Sequence, residues 1–165
     1  MKKVTFLLSL ALSLSMATGA FALCQQSIGQ TIIVAASYND ISAGQKEVAV
    51  CRLIVRNIDR QKSMTLTSAC FYSPQGTQVK EFVTTAVTIG PLASVSYVVY
   101  GATLPGIPIY SKDGGRPSFI VKWQSTASMC APIISVAHFI MRQYSATVWG
   151  QEAMASSLGT VLEEK

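Results

Sequence analysis

The chain has 165 residues, 50% of them hydrophobic, with a formal charge of +5, 4 cysteines and 1 histidine. One compact domain fits that length, and only 13% of the residues are charged. This balance argues against a cytosolic enzyme, a zinc finger or a multidomain receptor, and it names no activity.

Much of the apolar excess lies at the front. Residues 4–22 hold no charge, Lys2 and Lys3 precede them, and Ala20-Phe21-Ala22 closes the run as an A-x-A site. This order predicts a secretory signal peptide over 1–22, cut after Ala22, and a periplasmic or secreted destination. The strongly apolar part, interrupted by Ser9, Ser13 and Ser15, is shorter than the roughly 18 residues of a membrane span. No transmembrane span is predicted after cleavage. A lipid anchor at Cys24 would want a small residue before it; Leu23 stands there, which argues against one.

Cleavage leaves Cys24, Cys51, Cys70 and Cys130, an even set that suits an oxidising compartment. Three pairings are open, and one or two structural disulfides are predicted. There is no C-x-x-C, and a zinc site would have to combine His138 with thiolates far apart in the chain. No metal site or cofactor is predicted.

Along the rest of the chain the dominant period is two. Residues 30–38 are rich in β-branched side chains. In 46–57 Val48, Val50, Arg52, Ile54 and Arg56 fall on one face, and Ala49, Cys51, Leu53 and Val55 on the other, which is the better candidate for burial. Residues 64–73 and 77–84 read as a hairpin around Pro74-Gln75-Gly76. Gly90-Pro91 breaks the chain before a strand at 94–100, and 101–115 is too rich in Gly and Pro for regular structure. Residues 118–124 and 133–142 add two strands, and 146–149 a short last one. The tail 151–165 is predicted to be a short helix or disordered. Strands separated by turn signals, with no amphipathic helix, predict an all-β fold: an antiparallel immunoglobulin-like β-sandwich of seven or eight strands over 23–150. Tyr97 and Phe119 are predicted in its core, with Trp123 as the central aromatic.

Several motifs, weak singly, are specific in their order. They are Val55-Arg56-Asn57-Ile58-Asp59, then Cys70-Phe71-Tyr72 with Gly76, then Gly90-Pro91-Leu92-Ala93-Ser94. Gly114-Gly115 leading into Phe119-Ile120-Val121-Lys122-Trp123 completes the set. Over roughly 32–150 the chain resembles an exported bacterial family known as domain-of-unknown-function family 3124. Arg116-Pro117-Ser118 departs from the more glycine-like stretch of that pattern. The resemblance implies export and a single β domain, and brings no activity.

Catalytic chemistry finds little to use. His138, the only candidate base, lies in the apolar run Val136-Ala137-His138-Phe139-Ile140, which reads as a strand histidine rather than a base. No G-x-S-x-G occurs, and Asp40, Glu47, Asp59, Glu81 and Asp113 stand singly rather than in facing pairs. Arg52 and Arg56 share a strand face in a segment that also carries Arg60 and Lys62, offset by Asp59. Guanidinium groups grip carboxylate or phosphate well; the plainer reading is a solvated outer face. Asn57 and Asp59 are predicted to bond turn backbone. Arg116 beside Asp113-Gly114-Gly115 reads as a turn, with an anion nest as its functional alternative. Tyr144 and Trp149 are candidates for sugar stacking. A mildly basic, exported chain is not a nucleic-acid binder.

The resulting expectation is a non-enzymatic envelope module that contacts another periplasmic or envelope protein. The alternative is a receptor for a small anionic or sugar ligand that uses Arg52, Arg56 and Arg116. An enzyme built on His138 is the third reading.

Overall fold

The computed structural model describes residues 24–36, 47–100, 115–143 and 149–165, and side chains outside 47–49 and 140–155. The described residues form ten strands and no helix. In chain order these are β1 Gln26–Ala35, β2 Glu47–Arg56, β3 Met64–Tyr72, β4 Gln78–Glu81 and β5 Val87–Ile89. They continue with β6 Ser94–Tyr100, β7 Ser118–Cys130, β8 Ile133–Gln143, β9 Trp149–Leu158 and β10 Thr160–Glu164.

All pairings are antiparallel and fall into two sheets. One has six strands in the order β10-β1-β7-β3-β4, with β5 also on β3; the other has four, in the order β6-β2-β8-β9. Alternation along each strand turns one face of each sheet inward. Ile32, Val34, Leu66, Phe71, Phe119, Val121 and Trp123 from the larger sheet meet Leu53, Val55, Val99, Ile134 and Val136 from the smaller in one core. Phe71 and Phe119 lie 4.9 Å apart, ring to ring. Phe82 reaches Phe119 at 6.1 Å and Tyr97, on the other sheet, at 5.5 Å. Phe119 and Trp123 are buried, and Tyr97 packs half-buried against the same core. Burial also raises the Tyr97 phenol above its ordinary value.

The alternation of β2 holds from Cys51 on, with Cys51, Leu53 and Val55 buried and Arg52 and Arg56 exposed, whereas Val50, read on the arginine face, is buried as well. The hairpin at Pro74-Gln75-Gly76 joins β3 to β4, with Tyr72 opposite Gln78 and Gly76 at φ 79.

The tail is a correction. Residues 151–165 are neither helical nor without order, but complete β9 and form β10. Their composition, with Glu, Ala, Ser and Leu prominent, has no two-residue period, so local preference pointed away from a strand. Non-local pairing decides it: β9 follows the edge of β8 from Gln143↔Trp149 to Ser135↔Leu158, and β10 follows the edge of β1. β10, together with β5 at Val87–Ile89, raises the count above seven or eight. Gly159 carries the chain between the sheets, its N–H donating to Ile134 O at 2.9 Å. A Cβ there would lie 2.4 Å from Ile32 Cγ2, so only glycine fits without displacing core.

Cys24 and Cys130 form a disulfide with Cα atoms 5.3 Å apart. Cys51 and Cys70 remain buried thiols, which corrects their place among the disulfide candidates. Cys51 points inward from the smaller sheet. Cys70 alternates with the inward Ala69 and Phe71 and so points away from the shared core. The two thiols cannot meet.

Candidate functional site

Three groups of polar residues stand out, and they occupy different places. The first is the turn cluster at the end of β2. Asn57 is fully buried, and its amide donates to Lys62 O at 2.8 Å, Gly90 O at 3.0 Å and Ile89 O at 3.2 Å. Its Oδ1 accepts from the Asp59 N–H at 2.9 Å, and its own N–H donates to Ala93 O at 3.0 Å. Asp59 then accepts from the N–H groups of Gln61 and Lys62 on Oδ1 and of Cys130 on Oδ2, at 2.8 to 3.0 Å. Lys62 Nζ donates to Ser128 O. Two side chains thus tie the β2–β3 connection to the β5–β6 turn and to the disulfide. The turn role read from the sequence is correct, and its extent exceeds it.

The second is the outer face of β2. Arg52 and Arg56 share it, and neither has a carboxylate partner among the described residues. The Arg52 guanidinium lies 5.4 Å from the centre of the Phe139 ring. Phe139 pairs with Val50, on the side of Arg52 away from Arg56. Four residues of strand span about 13 Å, and Arg52 leans outward from that interval. The two cations therefore diverge instead of converging on one small anion. Arg116, also exposed, precedes β7 in the other sheet. Its charge adds to the lowering of the His138 pKa, and it stands with the other sheet from Arg52 and Arg56, so the three do not share one strand face. Asp40, Asp113, Gly114, Tyr110 and Tyr144 lie outside the described residues, as do the side chains of Glu47 and Trp149.

The third is His138. It faces the core opposite Cys51, 4% exposed, with Nδ1 3.2 Å from Cys51 Sγ and Nε2 3.4 Å from Ser157 Oγ. Burial lowers its pKa below the ordinary 6.5, and the Arg116 charge adds to that. The imidazole is held neutral. A thiol beside an imidazole is a nucleophile–base pair in type, but Cys51 has no exposed surface and the pair fills core. The contact follows from register, which neither residue type signals. Among the described residues no cluster of three or more His, Cys, Asp or Glu side chains could hold a metal. Among them, too, no helix is long and apolar enough to cross a membrane.

Acid should weaken this fold in two steps. Asp59 has its pKa lowered from 3.8, first by the Gln61 N–H and then by those of Cys130 and Lys62. Both lowered groups take up protons more readily in the unfolded chain, so stability falls with pH. The His138 contribution is lost as pH drops from 6.5 toward its folded value, and the Asp59 contribution below 3.8. Urea midpoints at pH 7.5, 5 and 3 should fall in that order. His138→Gln should flatten the first step and leave the second; an unchanged first step would show that another group carries it.

Sequence reasoning missed Leu92. The turn closed by the Ala93 N–H and Gly90 O, 3.2 Å apart, puts Pro91 and Leu92 at its centre, with Leu92 at φ 58. A type II turn reserves that position for Gly or Asn, and the order Gly-Pro-Leu-Ala carried the signal. Leu92 is 55% exposed.

No curated protein and no solved structure matches this chain. The model of a family described as protein of unknown function, domain of unknown function 3124, matches residues 29–153, well over half of the chain, and the chain belongs to that family.

Proposed function

We infer that this is an exported periplasmic protein, cut after Ala22, whose immunoglobulin-like β-sandwich serves as a non-enzymatic interaction module of the cell envelope. The observation that carries the reading is how the polar groups are used. Asn57, Asp59 and the His138–Cys51 pair are committed to holding the fold, whereas exposed arginines and aliphatic side chains are left on the surface. A disulfide that begins two residues after the leader is in keeping with an oxidising compartment. The contact is with another envelope component, and the chemistry is binding.

Fractionation of cells making the full chain tests this. The protein is expected in the periplasmic or envelope fraction with Leu23 as its first residue, and cross-linked there to another component. An intact leader in the cytoplasm would sink the reading, and so would turnover of a defined substrate lost in His138→Gln. The second reading is a small-anion receptor using Arg52, Arg56 and Arg116. It is favoured by two guanidiniums on one face that have no carboxylate partner among the described residues, and weakened by their divergence. It requires thermal stabilisation by sulfate or phosphate that disappears in Arg56→Ala.

A further inference from the structure

At the end of the smaller sheet, cationic and aliphatic side chains come together on one exposed rim. Arg56 is the last residue of β2, with Ser94 across from it on β6 and Ile133 across from it on β8. Ile133 is 47% exposed. Leu92, two residues before Ser94, receives its position from a bond of its N–H to Asp59 O at 3.1 Å, which sets it beside the exposed Arg60. Leu158, 74% exposed, faces the same way from β9, opposite Ser135, the neighbour of Ile54.

The charge of this rim is one-sided. Arg56, Arg60 and Lys62 outnumber Asp59 in this stretch of chain, and the Asp59 carboxylate is occupied by three backbone N–H groups. A second copy of the chain would set like charge on like. The partner must be anionic, and it must also accept three projecting aliphatic side chains. Holding Leu92 at φ 58 costs about 1 kcal/mol or more, for a side chain that contributes little to the core.

We propose that this rim docks on an anionic membrane surface, with Leu92, Ile133 and Leu158 dipping into the lipid interface while Arg56 and Arg60 meet phosphate headgroups. A bilayer interface takes apolar groups at depth and cations at headgroup level together, which an acidic peptide in water does not. The roughly 13 Å between Arg52 and Arg56 along β2 suits an array of separate anions better than one. The proposal rests on the envelope reading and names its partner. The two fail separately, since fractionation tests the compartment and vesicles test the surface.

Protein purified from cells making the full chain is sedimented with phosphatidylglycerol vesicles and with phosphatidylcholine vesicles. Binding is expected to the first, at least about tenfold weaker to the second, and to fall with salt. Each surface cation is worth about fivefold near an anionic bilayer, so Arg56→Gln with Arg60→Gln should lose about 25-fold. Leu92→Asn should lose about tenfold. Asparagine tolerates φ > 0, so that variant should melt no lower than the parent, which separates docking from folding. No binding to phosphatidylglycerol would overturn the proposal. So would equal binding to phosphatidylcholine, or an unchanged Leu92→Asn. Capture by soluble poly-glutamate without dependence on Leu92 would replace the membrane with an acidic protein.

Discussion

Asn57→Ala should lower stability by about 3 kcal/mol, a fall in Tm of roughly 10 °C. The substitution takes an amide from the carbonyls of Lys62, Ile89 and Gly90 and an acceptor from the Asp59 N–H. Asn57 is itself fully buried, and the Ile89 carbonyl, buried with it, gains no replacement. Buried polar groups left without partners cost more than the bonds were worth. Asn57→Asp keeps the acceptor but turns a carboxylate toward three carbonyl oxygens, so it should be at least as damaging. Thermal melts of parent and both variants decide the matter. A Tm within about 1 °C of the parent for Asn57→Ala would show that the turn cluster closes without it.

Loss of the Cys24–Cys130 bridge should cost about 4 kcal/mol. The bridge spans a sequence separation of 106, and in the chain-entropy account a loop of that length strongly restricts the unfolded chain. Cys24→Ala with Cys130→Ala, or reduction of the parent, should shift the urea midpoint down by the same amount. Peptide mapping should find 24 joined to 130, with Cys51 and Cys70 alkylated only after unfolding, since both are buried. A bridge containing Cys51 or Cys70 would contradict the arrangement.

Much of the architecture was legible where side chains alternate. In β2 the inward set Cys51, Leu53, Val55 and the outward pair Arg52, Arg56 follow from period two alone, and the β3–β4 hairpin follows from Pro74-Gln75-Gly76. The β9–β10 tail was not legible. Its residues have no alternation to show, and what holds them is backbone pairing to edges made by residues far away in sequence. Cysteine pairing was equally hidden, because four cysteines in strands say nothing about which face of which sheet each occupies. The site was legible in part. The cluster of cations from Arg52 to Lys62 was visible, as was the turn role of Asn57 and Asp59. That Arg116 stands with the other sheet from Arg52 and Arg56, and that Ile133 lies across from Arg56, depends on which strands become neighbours.

The placement of β10 sets the order in which this molecule can be finished. β1 lies between β7 and β10, whose residues follow it by roughly a hundred positions or more. Whether the chain leaves a ribosome or a translocation pore, β1 emerges well before either of the strands that pair with it. Its inner neighbour arrives only with residues 118–130, and its outer one only with 160–164. Gly159 is the single residue of slack through which that final piece swings across from the opposite sheet. Local hairpins such as β3–β4 can form early, but closure of the larger sheet waits for residues 160–164, and topologies of this kind fold slowly. A chain cut short by half a dozen residues would keep nearly all of its core and still present β1 as a bare edge, the kind of edge to which other strands attach.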